Sequence, residues 1–237
     1  MEKLTQLLNY CATHPNAVLP YSASGMQLAN ESDASYLSVS KARSRAAGYF
    51  YLTTRPVHPD GPYPPNGAVH ILCQIMREVV SSAAEAELGA LFHNGKDACP
   101  IRIALEEMGH PQGPTPIITD NSTASGIAND TVKQKRSKAI DMRFYWIRDR
   151  VRQGQFQIFW RKGKFNRADY FTKHHPASHH QAIRSVYLYD PNNPSKNYFD
   201  CLTDEENEED VAALATPLAA SPLASGEGVL ISGFLRQ

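Results

Sequence analysis

The sequence predicts an α/β fold: a five-stranded mixed sheet, three antiparallel strands followed by parallel ones, flanked by helices. Three observations carry this. The apolar pattern reads strand, strand, strand, helix, strand, helix, helix, strand, helix along the chain, a meander followed by alternating elements. Ile117, Ile118 and Thr119 follow a Pro/Gly-rich break as a short β-branched run that ends on Asp120. The right-handed crossover rule then sets that strand parallel to the first, which places Asp33 and Asp120 side by side.

Taken in order, Leu4, Leu7, Leu8 and Cys11 recur at spacings of three and four and predict a short amphipathic helix over 3–13. Met26–Tyr36 reads as the first strand, although Asn30 and Glu31 are poor strand formers. Ala46–Thr53, rich in aromatics, is the second. Its run Tyr49-Phe50-Tyr51 reads as sheet core and not as a base-stacking platform. Five prolines and an Asn66-Gly67 turn signal between Arg55 and Gly67 mark an exposed connection. Val69, Ile71, Cys73 and Ile75 alternate as the third strand. Ser81 or Ser82 caps a long helix with apolar positions 84, 88, 91 and 92, and Pro100 is expected to bend or restart it before Ile101–Met108. After Asp120, the small polar residues 121–128 suit the first turns of a helix. Lys138–Arg152 predicts a further helix with Ile140, Phe144, Ile147 and Val151 inward, and Phe156, Ile158 and Trp160 alternate as the fifth strand. Asn166–Lys173 predicts a last helix containing Asp169.

Composition bounds the function. The chain of 237 residues is 42% hydrophobic, enough for one domain plus extensions. No apolar run reaches membrane-spanning length, and Met1–Leu8 lacks a signal-peptide pattern, so an intracellular protein without a membrane partner is expected. Cys11, Cys73, Cys99 and Cys201 show no Cys-x-x-Cys spacing and read as reduced thiols. A formal net charge of zero hides an asymmetry: from Lys133 to Arg167 there are twelve Lys/Arg against two acids, and from Asp200 to Asp210 seven acids and no base. The basic block points to a polyanion, and the acidic one to a solvated tail.

Two carboxylates on neighbouring strands, one on a crossover helix and one on the terminal helix can meet in a single pocket. Such a cluster is costly unless a cation occupies it, and oxygen-only ligation suits magnesium or manganese. Two such ions, about 4 Å apart, activate water and stabilise a leaving oxygen in phosphodiester hydrolysis. Asp120 taken alone reads equally as a helix cap. Glu85 and Glu87 flank the stripe of Ala84, Leu88 and Leu91 at similar angles, so periodicity does not choose between them.

Four segments, Ser32-Asp33-Ala34-Ser35, Ser81–Leu91, Thr119-Asp120-Asn121-Ser122-Thr123-Ala124 and Ala168-Asp169-Tyr170-Phe171-Thr172-Lys173, together resemble the ribonuclease H domain of copia-type (Pseudoviridae) LTR retrotransposon polyproteins. The resemblance covers roughly 28–185. It implies that Asp33, Glu87, Asp120 and Asp169 hold two Mg2+ ions, or Mn2+, and cut the RNA strand of an RNA–DNA hybrid, and its Glu-Leu-x-Ala-Leu pattern favours Glu87 over Glu85. It further implies an organisation of 1–25 as a remnant of the reverse transcriptase connection and 26–190 as the ribonuclease H-like domain, while the Asn/Pro turn signals, the acidic run and the Ala/Pro/Ser stretch 212–226 mark 191–237 as an acidic, disordered tail. The partners would be an RNA–DNA hybrid and the reverse transcriptase domain of the same element, in cytoplasmic virus-like particles or the nucleus. The loop Arg161-Lys162-Gly163-Lys164-Phe165-Asn166 lacks the histidine many ribonucleases H carry there, which puts turnover in question and leaves Lys162 or Lys164 to hold a phosphate. Arg136, Arg143 and Arg150, seven apart, form a basic row suited to phosphates, and Ser35 and Asn121 could bond to backbone or a ribose 2′-hydroxyl. His174, His175, His179 and His180 lack cysteine or carboxylate at zinc-ligand spacing and read as a polar helix end near the nucleic acid. The alternative to the nuclease is an inactive or weakly active nucleic-acid-binding remnant of the same fold.

Overall fold

The computed structural model describes residues 2–56, 62–131 and 141–189, all within one compact unit, Met1–Leu202. Arg136 and the acidic segment 200–210 lie outside the described residues.

Five strands form one sheet in the order β3-β2-β1-β4-β5. β1 (Gln27–Val39), β2 (Arg43–Thr53) and β3 (Ala68–Ile75) are an antiparallel meander, while β4 (Thr115–Thr119) and β5 (Phe156–Trp160) run parallel to β1. The five-stranded mixed sheet expected from the sequence is the one observed. The parallel register Glu31↔Ile118, carried two residues on, puts Asp33 beside Asp120 where β4 ends and β1 continues.

The helices are α1 (Glu2–Thr13), α2 (Ala83–Glu107), α3 (Ser122–Ala128), α4 (Asp141–Arg152) and α5 (Ala177–Tyr187). One face of the sheet buries Leu28, Phe50, Leu72, Ile117 and Ile158 against Leu88, Leu91 and Leu105 of α2, Ile127 of α3 and Phe144 and Ile147 of α4. Each such side chain contributes roughly 1.5–3 kcal/mol by leaving water. The other face holds a smaller cluster, Ala29, Ala47, Tyr49, Tyr51 and Ala168, covered by Phe171 and Tyr187.

β1 is longer than expected, and its two poor strand formers, Asn30 and Glu31, are both buried. Asn30 Nδ2 donates to Asn94 Oδ1 (3.2 Å), and Asn94 Nδ2 donates to Ser32 Oγ and to the carbonyls of Ala47 and Ala90. Gly48 accommodates this amide, because a Cβ there would overlap Asn94 Oδ1. On the opposite face Glu31 meets Arg167.

Two expectations are corrected. α2 does not restart at Pro100 but runs through it as one helix of 25 residues. Pro100 is exposed, so the Lys96 carbonyl that it leaves without a donor can be solvated, and buried residues on both sides (Leu91, Ala98, Leu105) hold the helix to one core. The last helix does not span Asn166–Lys173. Asn166 Oδ1 accepts from Ala168 N and Glu31 Oε2 accepts from Arg167 N, so these donors are taken by side chains. The chain makes only 3-10 turns, Gly163–Phe165 and Asp169–Phe171, before α5 begins at Ala177.

Candidate metal centre

Among the described residues, a single group of three or more His, Cys, Asp and Glu side chains brings its ligand atoms together: Asp33, Glu87 and Asp120, all within 4.8 Å of one another. Each acid comes from a different element for a local reason. Asp33 lies on β1, whose neighbours β2 and β4 bury it to 4% exposure. Asp120 follows the last residue of the fully buried strand β4. It is not a helix cap, because Asn121 performs that task by accepting from Ala124 N at 2.9 Å.

The structure separates Glu85 from Glu87. Ser82 Oγ accepts from Glu85 N while Glu85 reaches back to Ser81 N (2.6 Å) and Ser81 Oγ (2.7 Å), a reciprocal cap at the start of α2. Glu87, half a turn on, points inward at 6% exposure, where it accepts from Ala34 N (3.2 Å) and faces the Thr119 hydroxyl (3.4 Å). Glu85 is engaged in capping and Glu87 in the cluster.

Burial, then the Asp120 and Asp169 charges, push the Asp33 carboxyl up to about 6. Burial, then Asp33 and Asp120, push Glu87 up to about 9 despite the Ala34 and Thr119 bonds. Asp120 is raised by burial and then by Asp169. Three carboxyls raised together by mutual repulsion and desolvation are what a divalent cation would relieve, and the donor set is oxygen only, so the group could hold a metal ion.

Asp169 stands outside the tight trio, yet its charge acts on both Asp33 and Asp120. It is part-exposed and paired with Lys173 Nζ at 2.8 Å. That bond, with the neighbouring acids, raises the Lys173 ammonium. The segment carrying Asp169 is fastened to β1 on both sides of Asp33. Asn166 Nδ2 donates to the Ser32 carbonyl (2.8 Å), Arg167 pairs with Glu31, and Ser35 Oγ donates to the Thr172 carbonyl (2.9 Å).

The Glu31–Arg167 pair is buried, with both side chains 4% exposed. Nη2 meets Oε1 at 2.7 Å, Nε meets Oε2 at 3.1 Å, and the guanidinium lies 4.4 Å from the ring centroids of both Tyr49 and Tyr51. Burial opposes the guanidinium charge, but Glu31 overrides it and holds the group further toward its charged form. Sequence reasoning missed Glu31, Arg167, Asn94, Thr119 and Lys173. The signal for Glu31 was its own misfit, an acid in the middle of a strand.

The remaining expected residues divide. Ser35 and Asn121 are engaged within the chain, as described. Arg143 Nη1 is 2.5 Å from Glu78 Oε1, with its guanidinium beside Phe92. Arg150 stacks on Trp146 (5.1 Å) and bonds to Gln153 and Gln155. Lys162 and Lys164 are exposed on the loop beside Asp120. That loop is close: a Cβ added at Gly163 would stand 2.5 Å from Asp120 Oδ2. His175, His179 and His180 surround the Tyr170 ring, His175 lying parallel to it (5.1 Å, 5°), His179 stacked on His175 at 4.3 Å and His180 edge-on. No helix among the described residues is long and apolar enough to cross a membrane.

No protein-family model matches the chain. Over 107 residues it is 28% identical to the retrovirus-related Pol polyprotein of transposon TNT 1-94 from Nicotiana tabacum, a match spanning 45% of this chain and 8% of that polyprotein. Solved structures similar to it include LC11-RNase H1, a ribonuclease H1 isolated from compost (TM-score 0.44, 13% identity, 62% of this chain and 92% of that one). Also similar are the ribonuclease H domain of prototype foamy virus (0.36, 16%, 62% and 88%) and a foamy viral protease-reverse transcriptase in complex with double-stranded DNA (0.39, 18%, 65% and 96%). These likenesses are at low identity, and the similarity to the transposon TNT 1-94 polyprotein lies in a short part of that much longer protein.

Proposed function

We propose that this chain is a metal-dependent endoribonuclease that cuts the RNA strand of RNA–DNA hybrids as one part of a retrotransposon polyprotein, beside the reverse transcriptase of the same element. The observation that supports it most is the convergence of Asp33, Glu87 and Asp120 within 4.8 Å, with Asp169 acting on the same charges. In this reading the four acids are the ligands of two magnesium ions, with manganese as a substitute.

When bound, the ions supply Lewis acidity to the phosphodiester and lower the pKa of the attacking water. The chain supplies the rest. The Ala34 N–H and the Thr119 hydroxyl hold the Glu87 carboxylate toward Asp33 and Asp120. Ser35 acts by holding the Asp169 segment, and Asn121 by capping α3 immediately after Asp120. Lys162 and Lys164, on the loop that brings Gly163 against Asp120, contact phosphates flanking the scissile bond. Lys173 keeps a positive charge at Asp169.

The test is cleavage of a labelled RNA–DNA hybrid by the purified chain in magnesium, beside double-stranded RNA and DNA, with EDTA and Asp33→Asn and Asp120→Asn controls. Hybrid-specific, EDTA-sensitive cleavage lost in both variants is expected. Folded protein that binds the hybrid and leaves it intact in magnesium and manganese would instead mark a binding remnant of the fold.

A further inference from the structure

β1 and β2 pair in register from Gln27↔Thr53 to Ser35↔Arg45, whereas β1 meets β4 at Asn30 and Glu31 only. Past Asp33 the β1–β2 ribbon therefore continues without a strand on its β4 side. It overhangs the end of the sheet where the acids converge.

The overhang has one sign of charge. Residues 34–46 contain Lys41, Arg43 and Arg45 and no acid. Lys41, Arg43 and Arg45 make no ion pair among the described residues. Register fixes the face of Arg45. It stands opposite Ser35 and next but one to Ala47, the partner of Asp33, so its side chain leaves the sheet on the Asp33 side, at about the 7–8 Å diagonal spacing of such pairs. Tyr36 (40%) and Leu37 (41%) are exposed on the same ribbon.

The tip is shaped as well as charged. Leu37, Lys41 and Ala42 have φ of 51°, 61° and 51°, a left-handed conformation that costs any non-glycine residue. The register breaks between Ser35 and Val39, the Leu37 N–H donates to Ser44 Oγ (3.0 Å), and Ser35 and Ser38 hydroxyls meet inside the bulge. Strain held by such specific bonds marks a built feature and not a slack turn.

We propose that the β1–β2 overhang is a phosphate-binding arm, in which Lys41, Arg43 and Arg45 hold the backbone of the nucleic acid on the Asp33 side of the site. This rests on the nuclease reading for its partner. The arm contacts phosphates and reads no bases, so it adds affinity and salt dependence without sequence preference.

The experiment is fluorescence anisotropy of a labelled RNA–DNA hybrid with the full chain in EDTA, from 50 to 300 mM salt, for the wild type and for Lys41→Asn/Arg43→Gln/Arg45→Gln. Each lost phosphate contact flattens the slope of log affinity against log salt by roughly 0.9, so the triple variant should lose about 2–3 from the slope and at least ~10-fold in affinity at 0.1 M salt. In magnesium its cleavage should show a raised KM and an unchanged kcat. Lys41→Asn alone keeps a residue that tolerates the left-handed tip and should lose about one contact. Arg45→Lys should keep the slope. A triple variant that is folded by circular dichroism and binds with the wild-type slope overturns the arm while leaving the nuclease intact. A wild type that does not bind the hybrid overturns the nuclease reading and the arm with it.

Discussion

Removing one partner of the Glu31–Arg167 pair should unfold more than a surface ion pair would. Both side chains are 4% exposed, so Arg167→Met leaves the Glu31 carboxylate in a dry site with the residue-167 backbone N–H as its donor. Breaking a buried pair from one side costs about 3–5 kcal/mol, against roughly 0–1 kcal/mol for an exposed pair. For a domain of this size each kcal/mol moves the melting temperature by about 2–4 °C, which predicts a fall of roughly 6–20 °C. Glu31→Met should cost a similar amount. The double variant Glu31→Met/Arg167→Met removes both charges and keeps apolar volume between Tyr49, Tyr51 and Tyr187, so it should be more stable than either single variant. Thermal and urea unfolding followed by circular dichroism give all four corners of the cycle. A single variant that loses less than ~1 kcal/mol, or a double variant whose loss is the sum of the singles, would refute the reasoning.

Three other outcomes are expected. Glu87→Gln should abolish hybrid cleavage, whereas Glu85→Ala should only lose a helix cap, about 0.5–2 kcal/mol by thermal melting, with cleavage retained. Because the folded protein holds protons on Asp33 up to about 6 and on Glu87 up to about 9, and the unfolded chain releases them near 4, ion-free stability should be highest below pH ~4 as far as these acids are concerned and fall as pH rises toward 9. Melting temperatures in EDTA should show that decline, and magnesium should flatten it; a rise with pH in EDTA across this window would contradict the burial of these acids. Gly163→Ala should push the Asp120 carboxylate aside and lower kcat by roughly 10–100-fold at nearly unchanged melting temperature, read by steady-state cleavage beside calorimetry.

The sheet and the acids on it were legible in the sequence because they rest on local signals: β-branched runs, alternation and a crossover rule that fixes the parallel pair. What was not legible depended on contacts across the chain. Asn30 and Glu31 weakened the first strand on propensity alone, yet they are buried there by partners 64 and 136 residues away, Asn94 and Arg167. The segment at Asp169 has a helical pattern but makes 3-10 turns, since the same Glu31 takes its backbone donor. Pro100 is tolerated because it faces water, which spacing does not reveal. Glu85 and Glu87 are equivalent on a helical wheel and differ only by what each reaches. Arg143 and Arg150 kept their expected spacing, but Glu78 and Trp146 already engage them.

Gly48 and Asn94 have a consequence for how this fold can vary. The amide of Asn94 fills the space above Gly48 and grips β1 and β2 at once, two helical turns along α2 from Glu87. It sets the helix like the pin of a lock, so that α2 cannot slip along the sheet without carrying Glu87 away from Asp33. Gly48 can therefore not drift alone. A side chain there meets the Asn94 amide and, at 2.9 Å, the Phe50 ring, so it is admissible only together with a smaller residue at 94, and a library randomising both positions should return a larger residue at 48 only beside a smaller one at 94.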